Sequence, residues 1–325
     1  MSGGVVVSQV GGPEVLAWAE GDPGEPGPDE IRIRHTAVGL NFIDVYHRTG
    51  LYPQPLPFTP GAEGAGVVEA VGVRVEDLAV GARVAYTSNG PVGSYCEVRV
   101  LPRARVVELP DEISDETAAA MMVKGCTVEY LVRRTYPVQP GDHVLLTAAA
   151  GGVGLIACQW LRALGATVIG TVGSPEKGEL ARAHGCDHVI LYRDESISER
   201  VAEITDGKGC QVAYDSVGAS TFEASLQSLS RRGMLVTFGN ASGPVDPVSP
   251  LLLAKHRSLF LTRPRLADYY ATVDETRDGI RALFDMVRTG RVQPHIGARY
   301  PIRDVAAAHR ALEARETVGS TILVV

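Results

Sequence analysis

Six short apolar stretches alternate with helical patterns and turns between residues 143 and 262, and this alternation constrains the fold more than any other feature of the chain. The stretches are His143–Thr147, Thr167–Val172, His188–Leu191, Gln211–Asp215, Gly233–Phe238 and Ser258–Thr262. Gly152–Leu164, Pro175–His184 and Thr221–Leu229 pattern as helices among them. Pro175 stands in a first helical turn, where its missing N–H costs nothing. β-Runs joined by helical crossovers predict a doubly wound parallel sheet, with ligands outside the carboxyl ends of its strands.

Directly after the first run comes Ala148-Ala-Ala-Gly-Gly-Val-Gly154, which opens a helix. Set against G-x-G-x-x-G it reads Ala149-x-Gly151-x-x-Gly154, with alanine in the first glycine place. Small residues still let the backbone approach a pyrophosphate, which meets the free N–H groups of the helix start. The competing reading is close helix–strand packing alone. About 20 residues on, a dinucleotide site that grips a ribose diol carries an acid. Here Gly173 and Ser174 end the second run, with Lys177 one turn into the next helix. A missing acid beside a cation favours a 2′-phosphate, hence NADPH over NADH. Glu176 stands against this unless it serves the helix dipole, and Lys177 is equally readable as a solvated charge.

The first third is β-rich. Ile31 and Ile33 alternate with Arg32 and Arg34, and apolar runs recur at Gly66–Val71, Arg83–Tyr86 and Tyr95–Val100 between the turn clusters Gly50–Gly61 and Asn89–Gly93. Gly21–Pro28 reads as a surface loop, and the whole as a rolled antiparallel barrel. From about Asp268 two helices (Val273–Thr289, Arg303–Ala314) and a strand (Thr321–Val325) follow. This last segment has no sheet of its own and is expected to rejoin the first. The boundaries drawn are 1–124 completed by 267–325, and 125–266 for the nucleotide domain.

With 325 residues the chain has room for two cores without disulfide or metal staples. A net charge of −7 with no basic run argues against nucleic acid or an anionic membrane surface as partner. The apolar stretch Val144–Leu161 is broken by glycines, Thr147 and Gln159, and is no membrane span. The first basic residue is Arg32, so no secretory leader is expected. Five scattered cysteines without a C-x-x-C pair suggest reduced thiols in the cytoplasm. His184-Gly-Cys186-Asp-His188 looks like a metal cluster but falls at the edge opposite the expected crevice, so a structural role is expected. Asn41 and Asp44 read as a helix cap or as polar groups facing a nicotinamide.

Gly61-Ala62-Glu63-x-x-Gly66-x-Val68-x-x-x-Gly72, followed by the Gly-rich loop, resembles the medium-chain dehydrogenase/reductase superfamily. The zinc alcohol dehydrogenases of that group carry a ligating histidine where Ala62 stands and a cysteine near Asn41, and the lobe of four zinc-binding cysteines is absent. The chain therefore resembles the zinc-independent quinone oxidoreductase, or zeta-crystallin-like, branch. Segments 11–16, 41–44, 48–53, 148–157, 170–173, 214–218, 238–240 and 262–264 carry that resemblance end to end.

The resemblance implies a Rossmann domain inserted into a GroES-like barrel, and a homodimer. It also implies cofactor contacts. Asn41, Phe42, Ile43, Asp44, Tyr46 and Tyr130 would lie on the nicotinamide side, and Gly152 and Val153 at the pyrophosphate. Gly173, Ser174, Lys177, Tyr192 and Arg315 would surround the 2′-phosphate. Ser216, Phe238, Gly239, Asn240, Arg263 and Pro264 would complete the crevice. Tyr46, Tyr52 and Arg263 are the candidates for contact with the substrate. Glu129, beside Tyr130, is expected at the surface. The activity implied is metal-free hydride transfer from NADPH to a quinone or another electrophilic carbonyl compound. Reduction of an enone or 2-alkenal double bond is the rival within this class, and a non-catalytic NADPH- or RNA-binding protein the rival outside it.

Overall fold

The computed structural model describes residues 2–87 and 92–325, so the Asn89–Pro91 part of the expected turn cluster lies outside the described residues. The chain forms two compact units. One comprises Met1–Lys124, Thr272–Asp274 and Pro294–Val325, and the other Gly125–Ala271 and Glu275–Gln293.

In the first unit the strands are β1 (Ser2–Val6), β2 (Ala17–Gly21), β3 (Glu30–Leu40), β4 (Glu63–Val71), β5 (Arg83–Thr87), β6 (Val98–Pro102) and β7 (Val107–Glu108). The short helix α1 (Phe42–Thr49) follows β3, and α2 (Asp115–Tyr130) follows β7. β3 organises this sheet. It pairs antiparallel with β4 on one side; on the other its first half pairs with β6, its second with the C-terminal strand Ser320–Val324. The period-2 pattern is kept: Ile31, Ile33 and His35 turn inward while Arg34 and Thr36 are exposed. Ile31, Ile33, Val68, Val84 and Leu101 meet in the core.

α2 has no counterpart in the sequence reading, because almost every residue from Ala118 to Tyr130 is buried or half-buried. A helix buried all round shows no amphipathic stripe. A π-helical turn, Leu131–Thr135, continues it.

The second unit holds β8 (His143–Leu146), α3 (Gly152–Ala163), β9 (Thr167–Val172), α4 (Pro175–Ala183), β10 (His188–Leu191) and α5 (Ile197–Ile204). β11 (Cys210–Asp215), α6 (Phe222–Gln227), β12 (Leu229–Thr237), α7 (Pro250–Lys255) and β13 (Phe260–Thr262) follow. All six strands are parallel, in the order β10-β9-β8-β11-β12-β13. That is the dinucleotide-binding order, with its reversal point between β8 and β11. After α8 (Leu266–Tyr269), most of α9 (Val273–Arg288) also belongs to this unit: Leu283 packs over Gly125, and Tyr270 over Gly279. The chain then returns to the first unit through β14 (Ile296–Pro301), α10 (Val305–Glu313) and β15 (Ser320–Val324), of which the parallel pair β14–β15 extends the β3 sheet. Sequence reading gave no place to α5, α7, α8, β7, β14 and the small β1–β2 pair, as well as α2.

Candidate functional site

The carboxyl ends of the six parallel strands carry nearly all of the residues singled out for the nucleotide that lie in the second unit. Ala148–Gly152 follow β8, Gly173 and Ser174 follow β9, and Tyr192 follows β10. Ser216 follows β11, Phe238, Gly239 and Asn240 follow β12, and Arg263 and Pro264 follow β13.

At the β8–α3 turn Ala148 takes a left-handed conformation (φ 53°), and the Ala149 N–H donates to Thr171 O (3.1 Å). A Cβ on Gly154 would lie 2.3 Å from Ala148 O and 2.6 Å from Ala149 O. The third glycine of the fingerprint is therefore fixed by close backbone approach, while the packing of Ala149 against the Gly170 position shows room for its methyl group in the first place. The first N–H groups of α3, those of Gly152 and Val153, have no carbonyl of their own helix to reach. They form a natural anion cradle. Gly239 has the same necessity, since a Cβ there would come within 2.2 Å of Ser216 O.

Beneath Ser216 the carboxylate of Asp215 is wholly buried. It accepts from the N–H groups of Val217 (2.8 Å) and Gly218 (3.1 Å) and from the hydroxyls of Thr147, Thr221 and Ser225. Thr147 Oγ1 accepts in turn from the Ser216 N–H (2.9 Å). Asp215 thus ties the β8 and β11 ends together. Sequence reading passed over this role, although the residue stands within the quoted Tyr-Asp-Ser-Val-Gly stretch.

The carboxyl end of β9 carries no acid: Gly173 and Ser174 follow it directly. Ser174 caps α4, its Oγ accepting from the Lys177 N–H (3.4 Å), and the Tyr192 hydroxyl lies 2.8 Å from where a Cβ of Gly173 would be. Glu176 is engaged by a hydrogen bond with Ser174, which lowers its carboxyl pKa, so its position in the first turn has a capping explanation.

At the β13 end Arg263 donates to Thr237 Oγ1 (3.1 Å) and Gly239 O (3.0 Å). A cavity of about 250 Å³ opens beside it, with Asn240, Asp246, Phe222 and Leu261 on its walls. In the same unit Tyr130 stacks on Tyr269 with ring centroids 4.7 Å apart. Glu129 corrects the sequence expectation: it is 1% exposed rather than at the surface. Arg133, Arg134 and the Tyr270 hydroxyl hold its carboxylate at 2.9, 2.6 and 2.9 Å. The π-helical turn after Tyr130 brings both arginines back to it.

The first unit holds Asn41, Phe42, Ile43, Asp44, Tyr46, Tyr52 and Arg315. Phe42 and Ile43 are half-buried at the start of α1, and Tyr46 meets Tyr52 edge to face at 5.2 Å. Arg315 lies just beyond α10 with φ 60°, on a different unit from Lys177 and Tyr192. Asp44 is fully buried, its Oδ2 accepting from the Asn41 N–H (2.9 Å) and the Tyr95 hydroxyl (2.9 Å). The helix-start reading is realised in that backbone contact. The Asn41 amide donates to Glu63 Oε1 (2.8 Å), which also receives the Lys124 ammonium (2.8 Å). Glu63 Oε2 takes the Val123 N–H. Lys124 was missed for the same reason as α2. The His184–His188 segment is turned to local duties: His184 Nδ1 contacts Leu180 O (2.8 Å) and the Cys186 thiol donates to His188 O (3.1 Å). No grouping of three or more metal-binding side chains occurs among the described residues.

Residues 27–111 match the alcohol dehydrogenase GroES-like domain, and residues 152–278 match the family called zinc-binding dehydrogenase. A quinone oxidoreductase of Pseudomonas aeruginosa is 51% identical over 314 residues, 96% of both chains. A 2-haloacrylate reductase of a Burkholderia species is 44% identical over 326 residues, 98% of this chain and 97% of its own. The crystal structure of Escherichia coli quinone oxidoreductase complexed with NADPH superposes with a TM-score of 0.97 at 44% identity, covering 99% of this chain and 100% of that one. With a parallel-sheet nucleotide unit, a GroES-like β-unit and relatives of this closeness over its full length, the chain belongs to the quinone oxidoreductase family of the medium-chain dehydrogenases/reductases.

Proposed function

We propose that this chain is an NADPH-dependent quinone reductase that works without a metal ion. The observation that carries the reading is the set of carboxyl strand ends. They present a glycine-lined anion cradle at β8, no acid at the ribose position of β9, and Lys177 and Tyr192 where a 2′-phosphate would be received. NADPH bound there would supply a hydride, and the quinone takes up that hydride with a proton to become the hydroquinone. In this reading the α3 N–H groups hold the pyrophosphate, and Ser174, Lys177 and Tyr192 select the phosphorylated ribose. Gly239, Asn240 and Arg263 bound the nicotinamide end.

The residues do not fit the zinc of the alcohol dehydrogenases. Ala62 offers no donor atom, and the neighbouring Glu63 already receives an ammonium and an amide. A quinone is electrophilic enough to accept hydride without a Lewis acid. Turnover is expected to survive exhaustive chelation; stoichiometric zinc whose removal abolishes activity would reject this.

The 44% identity to a 2-haloacrylate reductase favours one second reading, reduction of an activated carbon–carbon double bond. That chemistry needs a proton donor at the α-carbon. Stopped-flow oxidation of NADPH by 1,4-naphthoquinone, a simple enone and 2-chloroacrylate separates the two, and fast turnover of the naphthoquinone alone supports the first. A protein that binds NADPH but oxidises it with none of the three would be a binding protein.

We place the protein in the cytoplasm as a homodimer. All five cysteines are free, and no described helix is long and apolar enough to cross a membrane. β13 is an edge strand whose Phe260 is 56% exposed, suited to pairing with a second copy. Sedimentation should give a dimer that Phe260→Lys weakens.

A further inference from the structure

The second unit holds a pair of thiols that the nucleotide site does not use. Cys158 lies in α3, and Cys186 precedes β10 within the His184–His188 segment; both are buried. The two thiols share a hydrogen bond. Because the Cys186 S–H is directed at His188 O (3.1 Å), the shared bond is donated by Cys158. The pair sits directly beneath the glycine-rich turn. Cys158 Sγ is 4.0 Å from Ala149 O, and a Cβ on Gly170 of β9 would lie 2.6 Å from both Cys186 Sγ and Ala149 Cβ. The missing side chain of Gly170 thus makes the room in which the sulfur and the methyl group meet. Gly185, in a left-handed conformation (φ 97°), brings the other main chain close: a Cβ there would lie 3.2 Å from Cys158 O. Two sulfurs already within hydrogen-bonding reach need only a small approach to the ~2.05 Å of a disulfide.

We propose that Cys158 and Cys186 form an oxidation site, at which a hydroperoxide joins them as a disulfide that weakens dinucleotide binding. The effect on binding rests on the NADPH reading above; the disulfide itself does not. Cys186 reacts first. It lies beside the exposed Asp187 and His188, so opening of this one turn admits a molecule the size of peroxide. Hydrogen bonds from Cys158 and from the Gly170 N–H favour its thiolate and lower its pKa, whereas burial raises the Cys96 and Cys210 thiols to about 12. The Cys186 sulfur attacks one peroxide oxygen. An S–O bond forms, the O–O bond breaks, and the leaving oxygen departs with a proton as water. The Cys158 sulfur then attacks the Cys186 sulfenic acid: the S–S bond forms, the S–O bond breaks, and the departing hydroxide takes the Cys158 proton as a second water. Two electrons have passed from two thiols to one peroxide. The new bond removes the Cys158 S–H from beside Ala149 O and draws α3 towards the Cys186 turn. Since Gly152 and Val153 begin the same helix, the anion cradle moves with it.

The test exposes the full-length protein to a small excess of hydrogen peroxide, counts thiols after denaturation and maps linked peptides by mass spectrometry. The count should fall from five to three, with Cys158 joined to Cys186, and dithiothreitol should restore all five. NADPH affinity, measured by calorimetry, should fall about threefold to tenfold on oxidation and return on reduction. Cys158→Ala and Cys186→Ala should each abolish both the link and the response of affinity to peroxide. A count that stays at five, a link between any other two cysteines, or oxidation that stops on Cys186 as a sulfinic acid would overturn the proposal. So would a Cys158–Cys186 disulfide that leaves NADPH affinity unchanged. Should either variant fail to fold, the peptide map and the affinity of oxidised wild type decide alone. Reduced wild type that binds no NADPH would count against the nucleotide reading instead, and the thiol count and peptide map would still judge the disulfide.

Discussion

The two units solve the problem of buried polarity in opposite ways. The nucleotide unit builds its edge from backbone and small residues. Gly154 and Gly239 bring main chain within reach of other main chain, and Asp215 is satisfied entirely by neighbours within the same few loops. The network of the β-unit reaches further along the chain: Tyr95 to His309 and Arg48 to Glu313 are 214 and 265 residues apart, against 68 for Thr147 to Asp215. A local edge is tuned one contact at a time, whereas a long-range network stands or falls with the unit that holds it. Mutations at the edge should therefore move affinity, and mutations in the network should move stability.

The largest expected contrast is under acid. His35, His47 and His309 all lie in the β-unit, and burial lowers their pKa values to about 4, 4 and 3. A histidine held neutral in the fold gives the unfolded chain more protons to bind, so its stabilising share is present above pH 6.5 and is lost as pH falls towards 4. Asp44, raised to about 7, has the opposite sign: its share is present below pH 4 and lost as pH rises through 7. Three groups outweigh one, so the β-unit should lose several kcal/mol between pH 7 and 4. Each unit has its own tryptophan, Trp18 in the first and Trp160 in the second. In Trp160→Phe and Trp18→Phe variants, acid unfolding should reach Trp18 at higher pH than Trp160. Coincident transitions would show that the units melt as one.

Next in size is Arg48→Met. It leaves His309 Nδ1 without a donor and Glu313 without its partner, and should cost about 3 kcal/mol, the upper end for lost hydrogen bonds of a charged group, because the Arg48 guanidinium is buried although Glu313 is exposed. Urea unfolding should report it, with NADPH affinity changed less than threefold. A large affinity loss at intact stability would erase the contrast. Gly154→Val tests the other side: its Cβ would strike two carbonyl oxygens of the phosphate loop. NADPH and NADH binding should fall together, by about a hundredfold or ~2.7 kcal/mol.

The same contrast governs what the sequence revealed. Six strand positions, three helices and the glycine loop were readable because period-2 runs, helix starts and close-approach glycines are properties of short segments. The switch-point geometry follows from their order. α2 escaped because Ala118–Met122 is buried on every side, and Glu129 was misplaced because its partners Arg133, Arg134 and Tyr270 converge only through a π-helical turn and a distant segment. Asp44 was readable as a helix-start acid but not as the end of a chain from α10. Tyr95 and His309 carry no local mark of that role: each looks like an ordinary core residue until the fold brings them together.

Lys177→Ala should weaken NADPH binding tenfold to a hundredfold, since a charge-assisted hydrogen bond contributes ~1.5–3 kcal/mol, and should scarcely alter NADH. Equal losses for both cofactors would assign Lys177 to the fold or the pyrophosphate.

Gly173 gives the smallest and sharpest test, because the structure changes what a substitution there means. On the proposed placement of the ribose, Gly173→Asp would by charge alone push preference towards NADH. Yet any Cβ at this position would lie 2.8 Å from Tyr192 Oη and 3.2 Å from its Cζ, so the ring tip must move first. Gly173→Ala adds that Cβ without charge. If the Tyr192 hydroxyl serves the 2′-phosphate, Gly173→Ala should weaken NADPH two- to fivefold and leave NADH almost unchanged. Tyr192→Phe should do the same. The double variant should then lose little more than either single one, because both remove the same contact and neighbouring effects of this kind do not add. Full additivity would separate the glycine from the tyrosine, and an unchanged NADPH affinity in both single variants would leave Lys177 as the residue that reads the phosphate from the second unit.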